Sequence, residues 1–597
     1  MKPFAPHMVD VYKIGHADMY TEGTDFLYSN LTPRSDKYFR ASGVSKMYDG
    51  KMVVFGTQGS IMEIAEDWND SFFSQPKEKV IRRYRRRVNG VIGEGKVSTA
   101  RMEALHDLGY LPLEIKTIDE GARIGMKVPM LTIKNTLPEF FWLVNYLETA
   151  LSDQIWQLAT NATIAYEYKR ILMAAALRTG AATEGVLFQG HDFSMRGMPG
   201  YIAASRSGSG HLASFSGTDT VGAIDYIEDY YGEGLDLDAY FIAGSIPATE
   251  HAVSSSNILT RAARLEAAFT GEMGEECRDL RLEAETEFLI HYITKLNPNG
   301  FCSYVADTYD YFGVLTEVLP RAYPQIMARD GRLVIRPDSG DPLSIICGTI
   351  DKVYATLGEA LDEERDSHFE RAAEDCEGSY NMGADYYETL VYITEESKYY
   401  NIKTKFEYNR HDKQYYYIDN YSSDCGEPVA TEVQPSAEMK GSIQLLWETF
   451  GGTVNEAGFK ELDSHIGLIY GDSITLSRAQ AITDRLEKLG FASTNVVFGI
   501  GSYTYQCNTR DTFGTAMKAT ATAINGELFE IYKDPATGDK LKQSARGLLR
   551  VDLIDGEYVL RDQVSAEEEH GGELKVRFRD GHFFNVTNID TIRQRLA

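Results

Sequence analysis

Apolar residues in this chain recur in short runs that end in glycine or a charged side chain and then give way to helical spacing. Leu333-Val-Ile runs into Arg336-Pro-Asp338-Ser-Gly-Asp341, and Phe301 to Ala306 runs into Asp307. Ser464 to Tyr470 meets Gly471-Asp472, and Thr494 to Ile500 meets Gly501. Earlier, Val186-Leu-Phe-Gln-Gly-His-Asp-Phe-Ser-Met-Arg-Gly197 reads as a strand entering a polar loop. Leu212 to Asp219 reads as a strand ending in glycine and a carboxylate, and Gly244 to His251 as a third element ending in an acid and a histidine. Strand, polar tip and helix at irregular spacing is the pattern of a barrel of β/α units, which carries its ligands at the carboxyl ends of its strands. Arg336 and Asp338 stand two apart, so both side chains leave the strand tip on one side. Pro337 stiffens the backbone between them, and Ser339-Gly340 admits a tight turn. The pair reads equally as an ion pair capping a strand, or as a guanidinium for phosphate beside a carboxylate for sugar hydroxyls or a metal.

Other segments fill in the frame. An early helix at Val9–His16 is followed by a strand at Leu27–Arg34, and short strands are expected over 117–136. One helix follows Pro138, and a second runs from about Ala162 to Arg178. Ser205-Arg-Ser-Gly-Ser-Gly-His211 reads as a flexible turn at a helix start or as an anion cradle. Residues 355–445 break the β/α repeat. Leu357–Cys376 is acidic and helical, and Lys403–Tyr408 with Lys413–Ile418 forms a hairpin around Asn409–Asp412. This tyrosine-rich insertion reads as a small packed β subdomain, or as an interaction surface. The tail from about 520 returns to strands, at Glu527–Lys533, Gly547–Val551 and Leu574–Phe578. An Asp580-Gly581 turn and a closing helix at Ile589–Leu596 follow.

Composition narrows the class. With 597 residues, 43% hydrophobic and 25% charged, the chain is globular and too long for one ordinary core. A net charge of −28 argues against a general nucleic-acid binder, while leaving room for a local basic pocket that takes a small polyanion. The six cysteines are scattered without C-x-x-C spacing, which points to reduced thiols and a cytoplasmic setting. The N-terminus lacks the apolar core of a signal peptide, and the most apolar long run, 139–159, is interrupted by Glu148 and Asp153, so no membrane partner is expected. Arg82-Arg-Tyr-Arg-Arg-Arg87 reads as one solvated helix. Gly90-Val-Ile-Gly-Glu-Gly-Lys96 nearly spells a P-loop, but Val97 stands where the magnesium-binding hydroxyl belongs and no strand precedes it.

Eight segments in order carry a resemblance to the nicotinamide phosphoribosyltransferase family. They are Asp10-Val-Tyr-Lys with His16, Pro138 to Thr149, His191-Asp-Phe-Ser-Met-Arg-Gly197, Gly217-Thr-Asp-Thr-Val221, Pro247-Ala-Thr-Glu-His251, Ile335-Arg-Pro-Asp-Ser-Gly340, Gly471-Asp472, and Thr509-Arg-Asp511 with Lys518. The resemblance implies an α/β fold: an irregular α/β barrel beside an α/β sandwich domain built from both chain ends, here with an α+β insertion. It divides the chain into 1–160 (first part of the sandwich), 161–354 (first part of the barrel), 355–445 (insertion), 446–520 (second part of the barrel) and 521–597 (last part of the sandwich). The implied reaction joins nicotinamide and phosphoribosyl pyrophosphate into nicotinamide mononucleotide and pyrophosphate. It uses Mg2+, is stimulated by ATP, and takes place in a homodimer with shared active sites.

Roles follow from the resemblance position by position. Phe193 and the other subunit's Tyr12 would sandwich the pyridine ring, and Asp219 would accept the carboxamide N–H. A second anion against Asp219 would disfavour nicotinate. Arg196 and Arg336 match residues that bind phosphate oxygens, and Arg34, Arg510 and Lys518 match a set lent by the neighbouring subunit. Asp307 and Asp338 would hold ribose hydroxyls or the metal, and Gly471, Asp472 and Gly501 the 5′-phosphate and ribose. His251 matches a histidine phosphorylated by ATP, with Glu250 orienting its imidazole. The chain departs from the family at Tyr503 in the phosphate loop, at Thr475 where a second aspartate is common, and at Ala516 where a serine often stands. Two alternatives remain at this stage: a nicotinate phosphoribosyltransferase, which would prefer a cation at Asp219, and a non-catalytic relative that senses nucleotide.

Overall fold

The computed structural model describes residues 3–268, 275–376, 385–409, 414–417, 428–471, 474–532 and 545–597. The chain folds as two compact units. One gathers Met1–Arg170, Gly190–Gly244 and Gly501–Ala597; the other gathers Ile171–Gln189 and Ser245–Ile500.

The first unit is built on a seven-stranded antiparallel sheet in the order Glu527–Glu530, Ala516–Ile524, Thr24–Thr32, Leu131–Asn135, Leu113–Thr117, Lys575–Arg579, His582–Phe583. Three strands from the first part of the chain lie together at its centre, flanked on each side by two strands from the last part, as the sandwich expectation required. Asp580 and Gly581 both take positive φ, the geometry of a two-residue hairpin turn whose twist matches the strands it joins. The hairpin Leu548–Ile554 with Glu557–Val564 packs Leu548, Leu549 and Val564 against Tyr28 and Ala521 of the sheet. A second core joins Phe55, in the loop before the helix Thr57–Trp68, to Leu158, Leu212, Ile227 and Ile592 of helices from the middle and the end of the chain.

Three expectations are corrected here. The helices expected after Pro138 and at 162–178 are a short helix, Trp142–Tyr146, and one long helix, Glu148–Arg178. Ser205–His211 is neither a turn nor an anion cradle but the buried body of the helix Tyr201–Leu212. Its glycines serve packing: a Cβ on Gly208 would lie 2.6 Å from Ala223 Cβ, and one on Gly210 3.0 Å from the Leu158 carbonyl oxygen. The first unit also holds the parallel pair Gly190–Asp192 and Gly217–Thr218, extended by a bridge from Gly217 to Gly244. The strand expected over 212–219 is therefore only its last part.

The second unit carries four parallel strands in the order Val496–Ile500, Ile466–Tyr470, Leu333–Arg336, Cys302–Val305. They are buried almost throughout, as parallel strands covered on both faces must be. The region 355–445 forms a sheet of its own with Lys352–Tyr354, Asp385–Ile393, Lys398–Asn409, Gln414–Tyr417 and Val429–Val433. Tyr354, Val391, Ile393, Tyr400 and Ile402 pack beneath Ala360 of the helix Leu357–Cys376, which makes a packed subdomain of the insertion. The tyrosine hairpin is present as Lys398–Asn409 against Gln414–Tyr417, while its turn residues 410–413 lie outside the described residues.

The compact units cut across the segments 161–354 and 446–520. Residues 190–244 and those from 501 onward group with the chain ends. Packing explains this: Leu212 and Ile227 share a core with Ile592, and Ala516–Ile524 pairs with Thr24–Thr32. Among the described residues, no helix is long and apolar enough to cross a membrane.

Candidate active site

In the second unit, strand register lines up the polar tips. Val305 pairs with Arg336, and Leu468 with Ile335. Two residues past the Cys302–Val305 strand, Asp307 therefore comes level with Asp338, and Asp338 comes level with Gly471. Asp307 is a hub. Its Oδ2 accepts from the Asp338 backbone N–H at 3.0 Å and from Ser339 Oγ at 2.7 Å, and its Oδ1 lies 3.1 Å from His251 Nε2. Asp307 already serves as an acceptor for two donors, so His251 Nε2 bears the proton and Nδ1 keeps the lone pair. The Asp307 carboxylate is 5% exposed, while the His251 ring is 49% exposed.

Glu250 does not orient that imidazole; Asp307 does. His251 opens the helix His251–Ala268 and turns toward Asp307, while Glu250 stands exposed before it and offers its carbonyl to the Ser254 N–H. Arg336 Nη2 donates to Asp338 Oδ1 at 2.9 Å, an ion pair within the strand tip. Gly471 lies against this pair: a Cβ there would overlap Asp338 Oδ1 and Arg336 Nε. Asp472 lies outside the described residues. Thr475 has a local reason to be there, since its hydroxyl caps the helix Leu476–Lys488 by accepting from the Arg478 N–H.

In the first unit the same logic sets Phe193 beside Asp219, each one residue past the paired Asp192 and Thr218. Asp219 is 47% exposed, and its Oδ1 takes a 2.9 Å hydrogen bond from His191 Nε2. The Phe193 ring lies 4.5 Å from the His191 ring. Buried Asp192 pins both strand ends, accepting from the Ser194 N–H at 2.9 Å and from Thr218 Oγ1 at 3.3 Å. Arg196 stands exposed on the turn Met195–Gly197. Gly197 must be glycine, because a Cβ would collide with Ser502, the first residue of the short helix Ser502–Gln506 after Gly501. Tyr503 on that helix is exposed.

The phosphate-type cations of the first unit gather. Lys518 is held below the ordinary lysine range by burial first, then by repulsion from Arg34, Lys13 and Arg510, with Glu148 opposing. Arg34 is fixed by its Nε donating to the Gly514 carbonyl at 2.7 Å. Tyr12 projects from the short turn Val11–Asp18, 63% exposed. That turn is clamped by Lys13 Nζ on Glu148 at 2.7 Å and by Thr149 Oγ1 donating to Asp10 at 2.7 Å.

His191, Asp192, Lys13 and Glu148 were quoted within motifs by sequence reasoning but given no role. His191, Asp192 and Lys13 stand within two residues of a named site residue, which is the signal for them in the chain; Glu148 has no such signal, because only the fold brings it to Lys13. Among the described residues no cluster of three or more His, Cys, Asp or Glu side chains is placed to hold a metal. The Asp307 carboxylate accepts three hydrogen bonds and the Asp338 carboxylate one from Arg336, so Asp338 keeps the larger share of lone pairs for Mg2+, beside oxygens brought by a substrate.

The nicotinate phosphoribosyltransferase (NAPRTase) family model matches residues 188–367 and 385–582. The nicotinamide phosphoribosyltransferase of Acinetobacter baylyi is 41% identical over 596 residues, covering 99% of this chain and 96% of that protein. The nicotinamide phosphoribosyltransferase of Mycoplasma pneumoniae is 28% identical over 550 residues, 90% of this chain and 93% of that protein. The one from Xanthomonas campestris pv. campestris is 27% identical over 496 residues, 81% of this chain and 79% of that protein. With strand-tip carboxylates, a clustered set of cations and a match over nearly its whole length, the chain belongs to the nicotinate phosphoribosyltransferase family and is a phosphoribosyltransferase.

Proposed function

We propose that this enzyme transfers the phosphoribosyl group of 5-phosphoribosyl 1-pyrophosphate to nicotinamide, giving nicotinamide mononucleotide and pyrophosphate. The observation that carries the choice of base is Asp219, a half-exposed carboxylate beside the Phe193 ring. A carboxamide N–H donates to it, whereas the carboxylate of nicotinate would set two anions face to face. The relatives named above bear the same substrate in their names.

The chemistry follows from the side chains. Breaking the bond from C1 to pyrophosphate develops oxocarbenium character, which nearby carboxylates stabilise. Asp338 is the carboxylate for the sugar, and Arg336, freed from it, turns to phosphate oxygens. Arg196, Arg34, Arg510 and Lys518 bind the remaining phosphate charge, the last three acting from the partner subunit of a homodimer together with Tyr12. Gly471, Asp472 and Gly501 line the ribose and 5′-phosphate side. Asp338 would hold Mg2+ beside the substrate's phosphate oxygens, and the ion would supply charge neutralisation to the leaving group. The pyridine nitrogen carries no proton, so the transfer needs no general base.

His251 has a separate task. Its Nδ1 lone pair attacks the γ-phosphorus of ATP and ADP leaves, while Asp307 holds the Nε2 proton and stabilises the charged ring. Incubation with phosphoribosyl pyrophosphate, Mg2+ and either nicotinamide or nicotinate tests the reading. Product from nicotinamide alone is expected; product from nicotinate alone would transfer the reading to that base, and no product from either would overturn it.

A further inference from the structure

His211 and Tyr505 belong to no substrate contact, yet they are among the most deeply buried polar side chains of the first unit. His211 Nε2 lies 3.0 Å from the Gly217 carbonyl oxygen, and its Nδ1 lies 2.7 Å from the Tyr505 hydroxyl. A carbonyl oxygen only accepts, so Nε2 carries the hydrogen. Nδ1 is then the acceptor, and Tyr505 must donate to it. The tautomer is fixed by geometry, and Phe215, stacked 5.0 Å from the imidazole, fixes its plane. Burial drives the His211 pKa down to about 4 against the opposing pull of Asp192, so the ring stays neutral at neutral pH.

The two ends of this relay matter. Gly217 lies on the short strand Gly217–Thr218, which Asp219 directly follows. Tyr505 lies on Ser502–Gln506, the helix that follows Gly501. Two further contacts hold the same helix: Tyr168 Oη lies 3.2 Å from Thr504 Oγ1, and Gly197, next to Arg196, rests on Ser502. We propose that His211 and Tyr505 are positioning residues, a buried two-bond tie that sets the loop after Gly501 relative to the strand end carrying Asp219. The inference rests on the proposed function, in which Gly501 lies on the phosphate side and Asp219 on the pyridine side. Asp219 and Thr218 are also held by Asp192, so loss of the tie releases the phosphate side alone.

Tyr505→Phe removes one oxygen from the tie. Its KM for phosphoribosyl pyrophosphate should rise about three- to tenfold, the effect of one lost buried hydrogen bond, while the KM for nicotinamide stays within about twofold. His211→Gln keeps one donor and one acceptor and should recover most of the wild-type KM, whereas His211→Leu should not. Backbone hydrogen exchange read by mass spectrometry gives a second measure that needs no turnover: the 501–507 peptide should exchange faster in Tyr505→Phe, and the 216–220 peptide should not. Unchanged exchange at 501–507, or an equal rise in both KM values, overturns the tie. If the wild-type protein makes no product from either base, the proposed function falls while the exchange result still decides the tie.

Discussion

Gly471 is glycine because of what lies against it. Its Cα faces the Arg336–Asp338 pair, and Gly471→Ala would drive a methyl into both side chains. We expect that variant to lose about tenfold or more in kcat/KM with phosphoribosyl pyrophosphate, since the clash displaces the largely buried Arg336 and Asp338 side chains that the proposed site uses. Asp219→Asn keeps the size of the side chain and removes the charge, so it should narrow the preference for nicotinamide over nicotinate; unchanged selectivity in paired kcat/KM measurements would refute the role of Asp219. His251→Ala should abolish ATP stimulation while sparing more of the ATP-independent rate, which parallel assays with and without ATP resolve. At this scale the sequence shows which residues stand at the strand tips, Asp307, Asp338 and Gly471 among them, but not what each side chain touches. Asp307 was expected at the sugar or metal, yet its oxygens are engaged by His251, Ser339 and the Asp338 N–H. Those donors come from two stretches of chain, His251 and Asp338-Ser339, and no spacing rule joins them to Asp307.

Strands were easier to read than helices. The apolar runs before Asp307, Asp338, Gly471 and Gly501 are all strands, and their parallel register sets Asp307, Asp338 and Gly471 level with one another. The helix Tyr201–Leu212 was misread because two glycines and three serines look like a loop; helix-to-helix contact at Gly208 and Gly210 outweighs that local preference. One pairing of helix and strand has a consequence for pH. Glu285, on Glu275–His291, accepts from Tyr304 Oη at 2.9 Å, and burial pushes its pKa up to about 7. Between its unfolded value and pH 7 the folded state binds more protons than the unfolded one, so this carboxyl costs stability progressively as pH rises through that window. Glu285→Gln should therefore stabilise the protein by about 2–3 kcal/mol at pH 8 and by almost nothing at pH 4, an upper figure that urea unfolding at the two pH values would check.

Across the whole molecule, the shared-site reading makes a mixing prediction. Tyr12→Ala and Asp219→Ala chains, each inactive alone, should regain up to about a quarter of wild-type activity once unfolded together and refolded, because half the chains pair unlike and each such pair restores one site. Failure to recover activity in verified mixed dimers would argue for sites complete within one chain. The sandwich from both chain ends was legible from the family resemblance and not from periodicity, since strand patterns do not say which partner a strand takes. That weave has a bearing on how the protein is made. Thr24 pairs with Ile524, five hundred residues later. At about 5–20 residues per second a ribosome needs roughly 25–100 s to cover that stretch, and during this time Thr24–Thr32 is exposed along the edge that Ala516–Ile524 will fill. An open strand edge is a template for the wrong chain. Nascent chains crowded on one message should therefore be the aggregation-prone form of this protein, and expression at lower temperature or with holding chaperones should raise its soluble yield more than any change to the finished surface.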